Sequence, residues 1–264
     1  MARGTYLAIA ADCVACHTDS AHGGRPFAGG RALSTPFGTF YSPNITPDPE
    51  TGIGRWSDAQ FLRALHDGVR PDGANYFPVF PYTSFTRILD ADALAIKAYL
   101  FSLPPVKEAS RDPDVAFPFS WRFLQNGWKL LFFDRGRFRP DPGRSAAYNR
   151  GAYLVTALAH CGECHTPRNW FGAMESSRFL AGTRNGPDGK PVPNITPDPK
   201  TGIGEWSEDD IVQVLTNGQM PDLDTVDGAM AEVVKSTSQL TEADRHAIAV
   251  YLKSVPPVST PELK

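Results

Sequence analysis

The chain has 264 residues, 41% of them hydrophobic, and a formal net charge of −3. That balance provides apolar mass for packed cores and no polycationic surface for nucleic acid. No apolar run approaches the ~18 residues of a membrane-spanning helix, and Met1-Ala2-Arg3 opens on a helix-like pattern with no signal peptide ahead of it.

The first segment, RGTYLAIAADCVACHT (Arg3 to Thr18), begins as a helix packed through Tyr6, Leu7 and Ile9 and runs into Cys13, Cys16 and His17. C-x-x-C-H is the signature of c-type haem attachment. Two thiols three residues apart add to the haem vinyl groups, and the adjoining imidazole serves as proximal iron ligand. A zinc site would gather four ligands, and a redox C-x-x-C has no need of the histidine. The frame returns at Cys161, Cys164 and His165, and the two frames use all four cysteines. Two covalent haems c are expected, with no cysteine left for a disulfide or an axial ligand.

Next comes the loop PNITPDPETGIGRWSD (Pro43 to Asp58). Asn44 opens a formal glycosylation triplet, which reads here as part of a Pro/Asp-rich turn. Trp56 either donates its indole N–H to a haem propionate or packs on the haem edge. Ser57 is placed to cap a helix containing FLRAL. After the stretch NYFPVFPYTSF (Asn75 to Phe85), a terminal helix presents Leu94, Ile96, Tyr99 and Leu100 and stops at Pro104-Pro105.

Beyond it, Trp121, Leu124, Trp128 and Leu131 recur at helical spacing. This spacing predicts a bridging helix packed between two modules, a reading preferred to an exposed docking site. Arg135, Arg137 and Arg139 follow as a solvated basic turn.

The remainder repeats the beginning. RGAYLVTALAHCGECHT (Arg150 to Thr166) matches the first segment with one extra residue. PNITPDPKTGIGEWSE (Pro193 to Glu208) restates the loop, with Asn194, Trp206 and Ser207 for Asn44, Trp56 and Ser57. EADRHAIAVYLKSVPPV (Glu242 to Val258) restates the terminal helix. Modules this small have little core of their own, and a covalently held haem would supply the missing apolar mass.

The tandem haem frames, the NITPDxxTGIGxW loops, the FPxxPYTSF stretch, the WKxLFF segment and DGAMAEVV together resemble the cytochrome c subunits of bacterial membrane-associated alcohol, gluconate and fructose dehydrogenases. The resemblance covers nearly the whole chain. It implies an all-α fold of two class I cytochrome c domains, residues 1–106 and 148–264, joined by a linker with the bridging helix over 107–147. It also implies a periplasmic location, a dehydrogenase as electron donor, and another cytochrome, an oxidase or a quinone-linked protein as acceptor. Members of this family usually carry three haem modules and a membrane-attaching tail, whereas this chain ends at Lys264 after two.

The resemblance further implies a methionine before the terminal helix as sixth iron ligand. In the second module Met230 holds that position, with Met220 as a weaker rival. In the first module the aligned residue is Phe80, and the only methionine in that half is Met1. The first iron is therefore five-coordinate, water-ligated, or held by His66, Tyr76 or Tyr82. His22 lies too near His17 to reach the opposite face. Loss of the thioether would lower the first haem's potential, and an open iron would bind CO, NO, cyanide or peroxide. Electron transfer is the leading functional reading. Peroxide-type catalysis or small-ligand sensing at the first haem is the alternative.

Overall fold

A computed structural model describes residues 2–263. The chain forms two compact units, residues 1–137 and 138–264.

The first unit opens with α1 (Ala2–Ala10) and the haem-motif turn α2 (Cys13–Cys16). It is not all-α. Strands β1 (Ala32–Thr35) and β2 (Gly38–Tyr41) form a hairpin, and β3 (Asp114–Val115) pairs with β2 to complete a three-stranded antiparallel sheet. This corrects the all-α expectation. The strands are too short to show a period, and β3 arrives from the far side of the terminal helix.

Next come α3 (Asp58–Asp67), the single turn α4 (Tyr82–Phe85) and α5 (Asp90–Leu100). Ser57 caps α3 as its sequence implies. Its Oγ accepts from Gln60 N at 3.2 Å, and Gln60 Oε1 accepts from Ser57 N at 2.9 Å. Helices α1 and α5 cross at Gly4, where a Cβ would sit 2.0 Å from the Ala95 carbonyl oxygen. The Arg3 guanidinium clasps buried Asp92 across the same crossing.

The expected bridging helix is also corrected. Helix α6 (Gln125–Phe132) has only eight residues, and its inward groups belong to the first unit. Trp128 packs edge-on to Tyr82. Lys129 Nζ donates to the carbonyls of Asp67 and Gly68 at the end of α3 (2.6 and 2.9 Å) and to Asn75 Oδ1 (2.7 Å). Leu130 and Leu131 point outward, 87% and 72% exposed. The basic turn is engaged as well: Arg137 pairs with Asp90 (2.5 Å) and Arg135 with Asp67 (3.7 Å).

The second unit repeats the plan with α7 (Ala146–Tyr153), α8 (Gly162–His165), α9 (Glu208–Asn217), α10 (Gly228–Thr237) and α11 (Glu242–Ser254). Gly151 meets the Ala247 carbonyl at 1.9 Å from a would-be Cβ, and Arg150 makes a two-pronged ion pair with Asp244 (2.8 and 2.6 Å). The one extra residue of this copy is absorbed by a π-helical turn over Leu154–Leu158. The helix crossing and the haem motif that follows thereby keep their relation. A single bridge, Thr183 to Val192, stands where the first unit has its hairpin.

Candidate haem sites

In each unit the Cys-x-x-Cys-His residues form one short helical turn held against the NIT loop. His17 Nδ1 lies 2.7 Å from the Pro43 carbonyl oxygen, and His165 Nδ1 lies 2.8 Å from that of Pro193. A carbonyl can only accept, so each Nδ1 carries the proton and each Nε2 keeps its lone pair for a ligand bond. Burial pushes both imidazoles below the ordinary histidine pKa, with the carbonyl bond partly opposing it. Both are therefore neutral, the form that binds metal.

The backbone repeats this precision. Gly29 N donates to His17 O (2.8 Å), and Gly182 N to His165 O (2.7 Å). Both glycines have positive φ, and a Cβ on either would strike the Pro43–Asn44 or Pro193–Asn194 backbone within 2.7 Å.

Asn44 and Asn194 hold the loops that supply those carbonyls. Each is 2% exposed. Asn44 Nδ2 donates to Val106 O (2.7 Å), and Asn194 Nδ2 to Val258 O (2.7 Å), just past the proline stops. Each Oδ1 accepts from the N–H and hydroxyl of Thr46 or Thr196. These asparagines are structural pins. Trp56 and Trp206 are half-buried at the ends of the same loops.

The donor set fits haem c. None of the four cysteines is paired in a disulfide, so both Cys-x-x-Cys pairs are available for thioether attachment. Among the described residues no cluster of three or more His, Cys, Asp or Glu could hold a bare metal ion.

The other side of each site diverges. The two copies stay in register up to residue 76: Val69 bridges Asn75, as Gln219 bridges Thr225. Arg70 N donates to Ala74 O and Met220 N to Asp224 O, both at 2.8 Å. Met220 is thus the counterpart of Arg70, in a tight turn. Tyr76 N donates to Gly68 O (2.8 Å) and Val226 N to Gly218 O (2.9 Å). Four residues further on lie Phe80 and Met230. Then α10, with ten residues, replaces the four-residue α4. Met230 is half-buried on the first turn of that helix rather than in a loop.

Phe80 sits among rings, 5.1 Å from Tyr76 and 5.8 Å from Phe85 between centroids. His66 is 1% exposed on α3; its Nδ1 is 3.7 Å from Asp90, which Arg137 also holds, and neither ring nitrogen has a hydrogen-bond partner among the described residues. Tyr82 is fully buried against Trp128 and Phe133. His22 is exposed beside Asp19 (2.9 Å), and Met1 lies outside the described residues.

The sequence reading missed the proline carbonyls, the Arg–Asp clasps and the Lys129 anchor. The repeated Arg-Gly pair (Arg3-Gly4, Arg150-Gly151) and the repeated Asp92 and Asp244 were the available signal for the clasps.

A cytochrome c family model matches residues 1–104. The chain is 44% identical over 265 residues to a dihaem c-type cytochrome of Cereibacter sphaeroides, covering 97% of this chain and 86% of that protein. It is 48% identical over 254 residues to a nicotinate dehydrogenase subunit of Pseudomonas putida, covering 96% of this chain and 21% of that one. With the fructose dehydrogenase cytochrome subunit of Gluconobacter japonicus it shares 44% over 259 residues, 97% of this chain and 52% of that subunit. This chain therefore spans about a fifth of one of these relatives and half of another.

Paired thiols, locked imidazoles and these likenesses define one class, the c-type cytochromes, which carry electrons on covalently attached haem. Within it, the chain belongs to the family of the dihaem c-type cytochromes and the cytochrome c subunits of bacterial dehydrogenases.

Proposed function

We propose that this protein is a two-haem electron carrier serving a dehydrogenase. One haem c is held by Cys13, Cys16 and His17 in the domain of residues 1–106. The other is held by Cys161, Cys164 and His165 in the domain of residues 148–264, with residues 107–147 as the linker. The observation that carries this reading is the pair of Nδ1-to-carbonyl bonds, which leave two equivalent histidine lone pairs, each next to a Cys-x-x-Cys pair free of any disulfide.

When bound, haem supplies a reversible one-electron couple. The chain's residues do the rest. Pro43 and Pro193 orient the imidazoles and raise their donor strength. Trp56 and Trp206 would border the haem edge. Met230 would supply a thioether to the second iron, a ligand that favours the ferrous state and raises the potential. Phe80 has no lone pair to offer, so a haem in the first unit would lie at lower potential than one in the second.

Relatives named as subunits of nicotinate, alcohol and fructose dehydrogenases support a dehydrogenase as donor. Another cytochrome, an oxidase or a quinone-linked protein would accept. Haem attachment of this kind supports a periplasmic location. No helix among the described residues is long and apolar enough to cross a membrane.

A redox titration of wild type and Met230→Ala, with haem counted by alkaline pyridine, tests this. Two covalent haems per chain and two separate midpoints are expected, with the substitution lowering only the upper one. A single haem per chain, coincident midpoints, or an upper midpoint indifferent to Met230 would count against it.

A further inference from the structure

The first unit offers few groups able to take an iron's sixth position. Tyr82 is fully buried against Trp128 and Phe133. His66 is buried on α3, its Nδ1 held 3.7 Å from Asp90 beside the Arg137–Asp90 pair, and neither ring nitrogen has a hydrogen-bond partner among the described residues. His22 is exposed beside Asp19 and only five residues from His17. Lys97 is committed to Asp58 (2.6 Å) and Lys107 to Glu50 (2.6 Å), while Lys129 is locked onto the end of α3. Both cysteines belong to the haem motif, and the unit has no methionine after Met1.

The loop of this unit that corresponds to the Met230 segment of the other is aromatic and stiff. Pro78 and Pro81 flank Phe80, and two backbone bonds close the turn: Phe80 N to Phe77 O (3.0 Å) and Tyr82 N to Phe80 O (2.7 Å). Tyr76, Phe80 and Phe85 stack edge to face along it. Such a lining offers ring edges and no counter-charge. The neighbouring cations are engaged elsewhere: Arg122 lies over Phe77 (4.7 Å) and donates to Asn75 O, and Arg70 pairs with Asp72 (3.2 Å). Tyr76 brings a hydroxyl to the ring beside Phe80. Burial pushes its pKa up to about 12, so it stands as a neutral phenol at neutral pH.

We propose that the first haem has an open iron, and that the loop around Phe80 makes it a binding site for a small neutral π-accepting ligand such as carbon monoxide or nitric oxide. This rests on the haem placement proposed above. Ferrous iron without a sixth ligand takes such molecules directly, with no electron gained or lost on carbon monoxide binding. An anion would have to be buried among rings without a partner, which is costly. The second unit is closed by Met230.

The test uses the full holoprotein. Covalent haem is counted first by alkaline pyridine and intact mass. The dithionite-reduced protein is then titrated with carbon monoxide, and the ferric protein with cyanide. Two haems per chain, one carbon monoxide per chain and no cyanide shift are expected. Phe80→Met should abolish the carbon monoxide shift, and Met230→Ala should double it to two per chain. Two haems with no carbon monoxide uptake in wild type overturns the open iron while leaving the haem placement intact. Cyanide bound as readily as carbon monoxide overturns the neutral-ligand assignment. A chain with one haem overturns the placement itself and the inference with it.

Discussion

The two units match around the Cys-x-x-Cys-His motif and differ in the segment that follows residues 76 and 226. His17 and His165, Pro43 and Pro193, Gly29 and Gly182, and Asn44 and Asn194 superimpose in role, bond by bond. Past Tyr76 and Val226 the copies part. One turns through prolines and phenyl rings, and the other extends a helix that starts with Met230 in its first turn. Duplication has kept the part of the site that anchors a cofactor and released the part that tunes it. Anchoring needs several groups at once, so a change in any one is lost, whereas a sixth ligand is a single side chain on a separately folded segment.

The largest test of that comparison removes an anchor. Cys13→Ser with Cys16→Ser should leave one covalent haem per chain, and Cys161→Ser with Cys164→Ser should leave the other, each read by intact mass. Retention of both haems in either double variant would break the proposed equivalence.

Steric matching of the helix crossings comes next. A Cβ at Gly4 or Gly151 would sit about 2 Å from a backbone oxygen. Gly4→Ala and Gly151→Ala should each cost roughly 3 kcal/mol, because two helices must separate to admit the methyl. Denaturant unfolding of each holoprotein measures this, and unequal losses would reveal unequal packing.

A third test separates the units by pH. Burial, aided by Arg137, lowers the His66 pKa to about 4, against the partial opposition of Asp90 and Asp67. The unfolded chain therefore takes up this proton first, and the folded first unit loses stability as pH falls from about 6.5 to about 4. The loss is on the order of 3 kcal/mol by the lower limit. His66→Leu should flatten that acid limb in a thermal-unfolding series. Thr216, its counterpart in the second unit, has no such titration.

The smallest effect concerns the caps. Ser57→Ala and Ser207→Ala each remove an acceptor for an N3 backbone N–H (3.2 and 3.1 Å). Each should cost about 1 kcal/mol, measured by chemical denaturation. A markedly larger cost in one unit would show that its α3 or α9 start is coupled to the haem loop beside it.

Much of this was legible from residue order alone. The repeat, the haem frames, the capping serines and the proline stops depend on local chemistry, and local chemistry is written in adjacent letters. The sheet was not, because four-residue strands have no readable period and Asp114–Val115 joins them from far along the chain. The bridging helix was misread for a different reason. Hydrophobic spacing ranks Lys129 as an outward residue and Leu131 as a candidate for burial. Two backbone carbonyls at the end of α3 and the Asn75 side-chain oxygen reverse that order by satisfying the ammonium completely. The Pro43 and Pro193 carbonyls were invisible because a backbone acceptor has no residue-type signature.

The buried asparagines carry a practical corollary for recombinant production. Asn44 and Asn194 head Asn-Ile-Thr triplets that a eukaryotic secretory pathway reads on the nascent chain. Their amides are then needed inside the closed loops, against Val106 and Val258. An oligosaccharide attached before folding would occupy the space those carbonyls fill, and the loop bearing the histidine's acceptor could not close. A yeast or insect-cell host would therefore convert a sound sequence into a chain unable to mature, while a bacterial host that leaves the triplet bare would not.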